Sequence, residues 1–160
     1  MKDTISSSIL SLLRHAALLA VPALPLHYAW ENVQCRLFFV HRANPADQWS
    51  MLLAAGGDLL LTWIAYLVVA TLTGCWLWLH ERWTARVWII LLGTALALSI
   101  SIELHALATQ RWEYTAINPR IPGLGVSVVP ILQLLILFPV TFGLVRIWVR
   151  SRVAQAGDRR

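Results

Sequence analysis

Hydrophobic residues run through this chain in four long blocks, interrupted by very few polar positions. The blocks cover about Ala16 to Val33, Trp49 to Leu77, Val87 to Leu107 and Val126 to Val149. Each comes near or exceeds the ~20 residues that a helix needs to cross a bilayer. Alternation with a period of two is missing, so strands are not expected. The predicted fold class is an all-α membrane protein, a single domain over residues 1–160 built as a bundle of four transmembrane helices with both termini cytoplasmic.

Prolines sit inside two of the blocks, Pro22 and Pro25 in the first and Pro130 and Pro139 in the fourth. A kink or a neighbouring helix must satisfy the carbonyls they free. The connections differ in character. Residues 34–48 carry the loop signal Ala43-Asn44-Pro45, and 80–86 form a short basic turn. Residues 108–125 contain Arg111-Trp112-Glu113-Tyr114 and then Asn118-Pro119-Arg120-Ile121-Pro122-Gly123. Two prolines and two glycines exclude a regular helix there, and a loop of this length is expected to be re-entrant or lid-like. The small, polar, basic tail 150–160 is expected to be disordered.

Acids within the apolar blocks carry the candidate chemistry. At 1.5 Å per residue, Asp58 falls roughly 13 Å below the outer border, Gln133 roughly 10 Å and Glu103 roughly 6 Å. Glu31 stands at that border, with His27 one turn deeper. All lie in the same half of the membrane, where a carboxylate costs roughly 2.5–3.5 kcal/mol unless it faces a cavity or a partner. His27, Glu31 and Gln34 form one helical stripe, Asp58, Thr62 and Tyr66 a second, and Ser99 and Glu103 a third. Gln133 and Thr141 share a face of the fourth block. Gly56-Gly57 is expected to let another backbone approach beside Asp58. These stripes predict one polar site with His27, Glu31, Asp58 and Glu103 as acid–base residues. Gln133, Arg111, Trp112, Tyr114, Arg120 and Trp63 are the candidates for holding a substrate, Arg111 and Arg120 through an anionic headgroup. Several also have a plain reading: Glu31 solvated or paired with Arg36, His27 a packing residue, Asp58 and Glu103 a protonated pair or partners of Arg111 serving assembly, and Trp63 packed or facing lipid.

Charge adds orientation. The chain carries 13 Lys and Arg against 8 Asp and Glu, and its mean hydropathy is +0.64. Nine of the basic residues (Lys2, Arg14, Arg82, Arg86, Arg146, Arg150, Arg152, Arg159, Arg160) gather on one side of the four blocks. Four (Arg36, Arg42, Arg111, Arg120) gather on the other. The positive-inside rule then places both termini in the cytoplasm, in a multi-pass protein of the bacterial cytoplasmic (inner) membrane. Lys2 and Arg14 are too dispersed for a signal peptide, so the first helix is expected to be retained. Trp30, Trp49 and Trp112 mark the outer interface, and Trp76, Trp78, Trp83, Trp88 and Trp148 the inner one. Cys35 and Cys75 fall at opposite ends of the bundle, beyond disulfide reach. No metal motif is present and no cofactor is implied. Basic and aromatic residues are not interleaved, which argues against nucleic acid.

The run His27-Tyr28-Ala29-Trp30-Glu31, an H-x-x-x-E on the first span with acids on later spans, resembles the emopamil-binding/sterol-isomerase-like family of four-helix membrane domains. That resemblance implies acid–base isomerisation of a buried sterol-like ligand. It is confined to these residues; that family's acidic loop pattern and its later tryptophan and asparagine positions have no counterpart here. Three functions remain open on the sequence: an enzyme doing acid–base chemistry on an apolar lipid or isoprenoid-like substrate, a structural or assembly subunit of a membrane complex, and a proton-coupled transporter subunit. The expected partners are membrane lipids, an apolar small-molecule ligand, and either a second copy of the chain or a membrane complex.

Overall fold

A computed structural model describes residues 2–40 and 47–157, with side chains over 14–40 and 47–151. Four helices dominate it: α1 (Lys2–Phe38), α2 (Gln48–Thr73), α3 (Ala85–Ala108) and α4 (Val128–Gly157). Helices α2, α3 and α4 are long and apolar enough to cross a membrane. Helix α1 is 37 residues long, and the part of it with described side chains, residues 14–38, does not by itself reach that standard. The chain also forms a ladder where no strands were expected. β1 (Phe39–Val40) pairs antiparallel with β2 (Glu113–Tyr114), Phe39 opposite Tyr114.

Local chemistry sets the helix ends. Asp47 caps α2, its side chain accepting from the Ser50 N–H at 2.7 Å, and that bond lowers the Asp47 pKa. Thr84 caps α3, accepting from the Val87 N–H at 3.4 Å. Gly74, at φ +71°, stops α2 in the left-handed conformation, and its N–H returns to Ala70 and Thr71. The second apolar block therefore does not run as helix to Leu77. Residues 75–84 instead turn back under the bundle, and Trp78 and Leu79 become fully buried. The Trp78 Nε1–H donates to the Tyr66 carbonyl at 3.3 Å, and the Tyr66 hydroxyl donates to the Trp76 carbonyl. Trp78 is thus a core residue and no part of an interfacial belt. At the other end α1 continues to Phe38, five residues past its expected stop. The loop signal Ala43-Asn44-Pro45 lies outside the described residues. Helix α4 continues through Gly157, across most of the tail expected to be disordered.

The main helix contacts run α1–α2, α2–α3, α3–α4 and α4–α1, which arranges the four as a square. The half nearer the 74–84 turn is tightly filled by Leu19, Val69, Trp78, Leu91, Phe138, Phe142 and Val145. Trp78 meets Phe142 edge-on at 5.2 Å between ring centres. The opposite half holds Glu31, Asp58, Glu103, Gln133 and His27, while His15 and Thr141 are the polar groups buried on the turn side among the described residues.

Candidate functional site

Three helices contribute to one hydrogen-bonded cluster. Gln133 of α4 is its hub: Nε2 lies 2.7 Å from Asp58 Oδ2, 3.1 Å from Glu31 Oε1 and 3.2 Å from His27 Nδ1. Its Oε1 accepts from Gln34 Nε2 at 3.0 Å. Gln34 also donates to Glu31, whose second oxygen accepts from the Cys35 thiol at 3.2 Å. His27 Nδ1 is 3.4 Å from Asp58 Oδ2, and its Nε2 is 3.3 Å from Thr62 Oγ1. The expected stripes on α1 and α2 therefore do point at one another. The extra length of α1 explains why. Glu31 lies seven residues inside the helix end, roughly 10 Å from it, and so reaches the level of Asp58 rather than the border.

Counting protons constrains the cluster. Thr62 has one hydroxyl hydrogen, and it donates to the Asp58 carbonyl at 2.9 Å. His27 Nε2 must therefore carry a hydrogen and donate to Thr62. Gln133 has two amide hydrogens for three neighbours, His27 Nδ1, Glu31 and Asp58. With His27 neutral, Nδ1 takes one of them and the carboxylates share the other. With a proton on Nδ1, His27 donates to Asp58 and both amide hydrogens serve the two carboxylates. The same side-chain positions satisfy these hydrogen bonds with either assignment of the hydrogen.

Glu103 is held separately. One carboxylate oxygen accepts from the Tyr114 hydroxyl and, at 3.4 Å, from the Ser127 N–H. Burial, then the facing Glu103 carboxyl, push the Tyr114 phenol well above the usual tyrosine range. The other oxygen, Oε1, is buried with no hydrogen-bond partner among the described residues. Ser127 was not anticipated. It caps α4, its Oγ accepting from the Val129 N–H at 3.1 Å, and a serine just before an apolar run is the sequence signal for that role.

The two groups of acids border one cavity of about 720 Å³. Glu31, Asp58, Glu103 and Gln133 line it, together with Arg111, Trp112, Cys35, His105 and apolar residues of α2 and α3. His105 stands on its rim. Tyr114 and Arg120 do not line it; the Arg120 guanidinium lies 5.2 Å from the Tyr114 ring centre, beside a second, smaller pocket. Trp63 is also absent from the cavity. Its Nε1–H donates to the Ala16 carbonyl at 3.1 Å, and the ring packs on the apolar core. Tyr66 leaves the Asp58 stripe to bind the 74–84 turn, and Ser99 bonds the Ala95 and Pro130 carbonyls instead of Glu103. Thr141 is buried without a hydrogen-bond partner among the described residues. The reading of Gly56-Gly57 is corrected: a Cβ at either position would have nothing within 4 Å, so no backbone approaches there. Gly57 faces the cavity instead.

The loop over this end is anchored. The Thr115 N–H and the Asn118 Nδ2–H both donate to the Phe38 carbonyl, at 3.1 and 2.9 Å, and Thr115 Oγ1 donates to the Leu37 carbonyl at 3.0 Å. These bonds satisfy carbonyls that the end of α1 leaves open.

Comparison of the chain with protein-family models, curated proteins and solved structures finds no match. The resemblance drawn from His27 to Glu31 thus has no family match behind it.

Proposed function

We propose that this is a four-span protein of the bacterial cytoplasmic membrane, both termini inside, whose outer half holds an acid–base site for an apolar, membrane-dissolved substrate. The observation that carries the reading is the Gln133-centred cluster, whose Glu31, Asp58 and Gln133 line a cavity with largely apolar walls while His27 is buried behind them. A proton donor and acceptor held side by side, next to space for an apolar molecule, is what general acid–base catalysis on a lipid or isoprenoid-like compound requires. In this reading His27 and Asp58 exchange the proton, Glu31 biases its position, Glu103 acts from the facing wall, and Arg111 and Trp112 border the entrance. The membrane-spanning role of α1 is supported by its fully buried Leu19, Ala23 and His27, packed against α2 and α4. The apolar filling of the other half, with Leu91, Phe138 and Phe142, favours chemistry at a one-sided site over a proton-coupled transport route.

Lipid extracts of cells producing the wild type, Asp58→Asn and His27→Gln to equal levels test this. Mass spectrometry should find at least one apolar species changed by the wild type and by neither variant. Variants that fold and alter the lipid pool as the wild type does would refute the assignment.

A further inference from the structure

The cavity has features that restrict what it can hold and how that molecule arrives. Its lining includes lip residues from two neighbouring helices: Leu53 and Leu60 of α2 are 59% and 53% exposed, and Ser101 and His105 of α3 are exposed as well. In a membrane-embedded bundle those lips face lipid. The floor comes from α1 and α4 through Glu31, Gln34, Pro130 and Gln133. The opening therefore lies sideways between α2 and α3. Gly57 keeps it clear, since the space a side chain would take there is empty.

Inside, the polar lining is dominated by acceptors. Glu31, Asp58 and Glu103 all border the cavity, while among the described residues Arg111 is the one Lys or Arg on it and is exposed beside Trp112. Glu103 Oε1 is the decisive atom. Glu103 is 1% exposed, and this oxygen has no partner among the described residues although the other carboxylate oxygen has two. A buried carboxylate oxygen without a donor has lost its water and gained nothing in return. A ligand that donates a hydrogen bond to it removes that cost; one that brings a carboxylate adds repulsion from three acids.

The geometry points to a ligand class for this cavity: a single-chain lipophile with a hydrogen-bond-donating head, an amine or a hydroxyl, that enters from the bilayer between α2 and α3 and donates to Glu103 Oε1. Its chain lies along Leu53, Leu60, Leu61 and Ile102, which brings the atoms next to the head toward Asp58. Any chemistry on the bound molecule rests on the acid–base reading, but the binding itself is independent of turnover.

The test uses the full chain in phosphatidylcholine nanodiscs, titrated with dodecylamine, dodecanol and dodecanoate and read by the shift in melting temperature. The amine and the alcohol should bind, and the amine at least about tenfold more tightly than dodecanoate. Glu103→Gln should weaken the amine by about tenfold, because a charge-assisted bond becomes a neutral one. Gly57→Leu fills the cavity from a position with no neighbour to clash with, so it should fold and bind none of the three. Failure of all three probes to bind the wild type, equal binding of dodecanoate, or unchanged amine binding in Glu103→Gln or in Gly57→Leu would each overturn the proposal. If binding fails in these ways while Asp58→Asn still abolishes the lipid change in cells, the acid–base reading stands and only this ligand class falls.

Discussion

Replacing Gln133 by leucine tests whether the polar cluster holds the outer half of the bundle together. The substitution roughly preserves volume, so the packing change is small and the loss is of hydrogen bonds. Gln133 Oε1 gives up its bond from Gln34, and two of the three acceptors at 2.7, 3.1 and 3.2 Å lose their donor. Side-chain bonds between membrane helices average about 0.6 kcal/mol each, so three give a floor of roughly 2 kcal/mol. A buried carboxylate left without its donor adds about 1–3 kcal/mol, and the sum we expect is roughly 3–5 kcal/mol. For a chain of this size that lowers the melting temperature by roughly 6–20 °C. Thr141→Val is the internal control. It lies two turns along the same helix and is equally buried, but its hydroxyl has no hydrogen-bond partner among the described residues. Removing that hydroxyl should leave stability unchanged or raise it by up to about 1 kcal/mol. Thermal unfolding in detergent measures both, and a cycle with Asp58→Asn should return a coupling above about 0.5 kcal/mol. The reasoning fails if Gln133→Leu melts within about 1 °C of wild type, or if Thr141→Val is the more damaging change.

Three other substitutions probe separate parts of the bundle. Gly56→Ala should stabilise the chain by roughly 0.5–1 kcal/mol in thermal melts, because the added methyl meets nothing within 4 Å and a glycine is removed from a helix interior; a loss would restore the close-approach reading. Trp78→Ala should cost about 3–5 kcal/mol in the same assay, whereas a belt tryptophan would cost far less, since Trp78 packs against Tyr66, Trp83 and Phe142. His80 lies 3.1 Å from His15, and burial, then the neighbouring His15, lower its affinity for a proton. The unfolded chain then binds more protons than the native state below about pH 6.5, so His80's contribution is complete above that value and is lost as pH falls. Melting temperature should drop on acidification, and His80→Gln should flatten the slope; an unchanged slope would refute it.

Much of the architecture comes from composition and spacing. Blocks of apolar residues of bilayer-spanning length can form only helices in hydrocarbon, so the helices and the approximate bounds of α3 were legible from the chain itself. The stripes of His27, Glu31 and Gln34 and of Asp58 and Thr62 were legible too, because helical periodicity assigns residues to a face whatever the partner. Helix ends were harder. Gly74 stops α2 through a left-handed cap that the surrounding apolar run conceals, and α1 persists past Val33 through residues polar enough to read as loop.

What the sequence by itself determined is which side chains share a face, since that depends only on the period of a helix. Tertiary structure alone decided which faces meet. It made Gln133 the hub, set Glu103 apart with Tyr114 and Ser127, sent Trp63 and Tyr66 to the apolar core, and left Gly57 facing a cavity instead of a neighbouring helix. The reason is that rotation of each helix about its axis depends on packing against its neighbours. Residues far apart in the chain, such as Gln34 and Gln133, carry no local signal that they will touch.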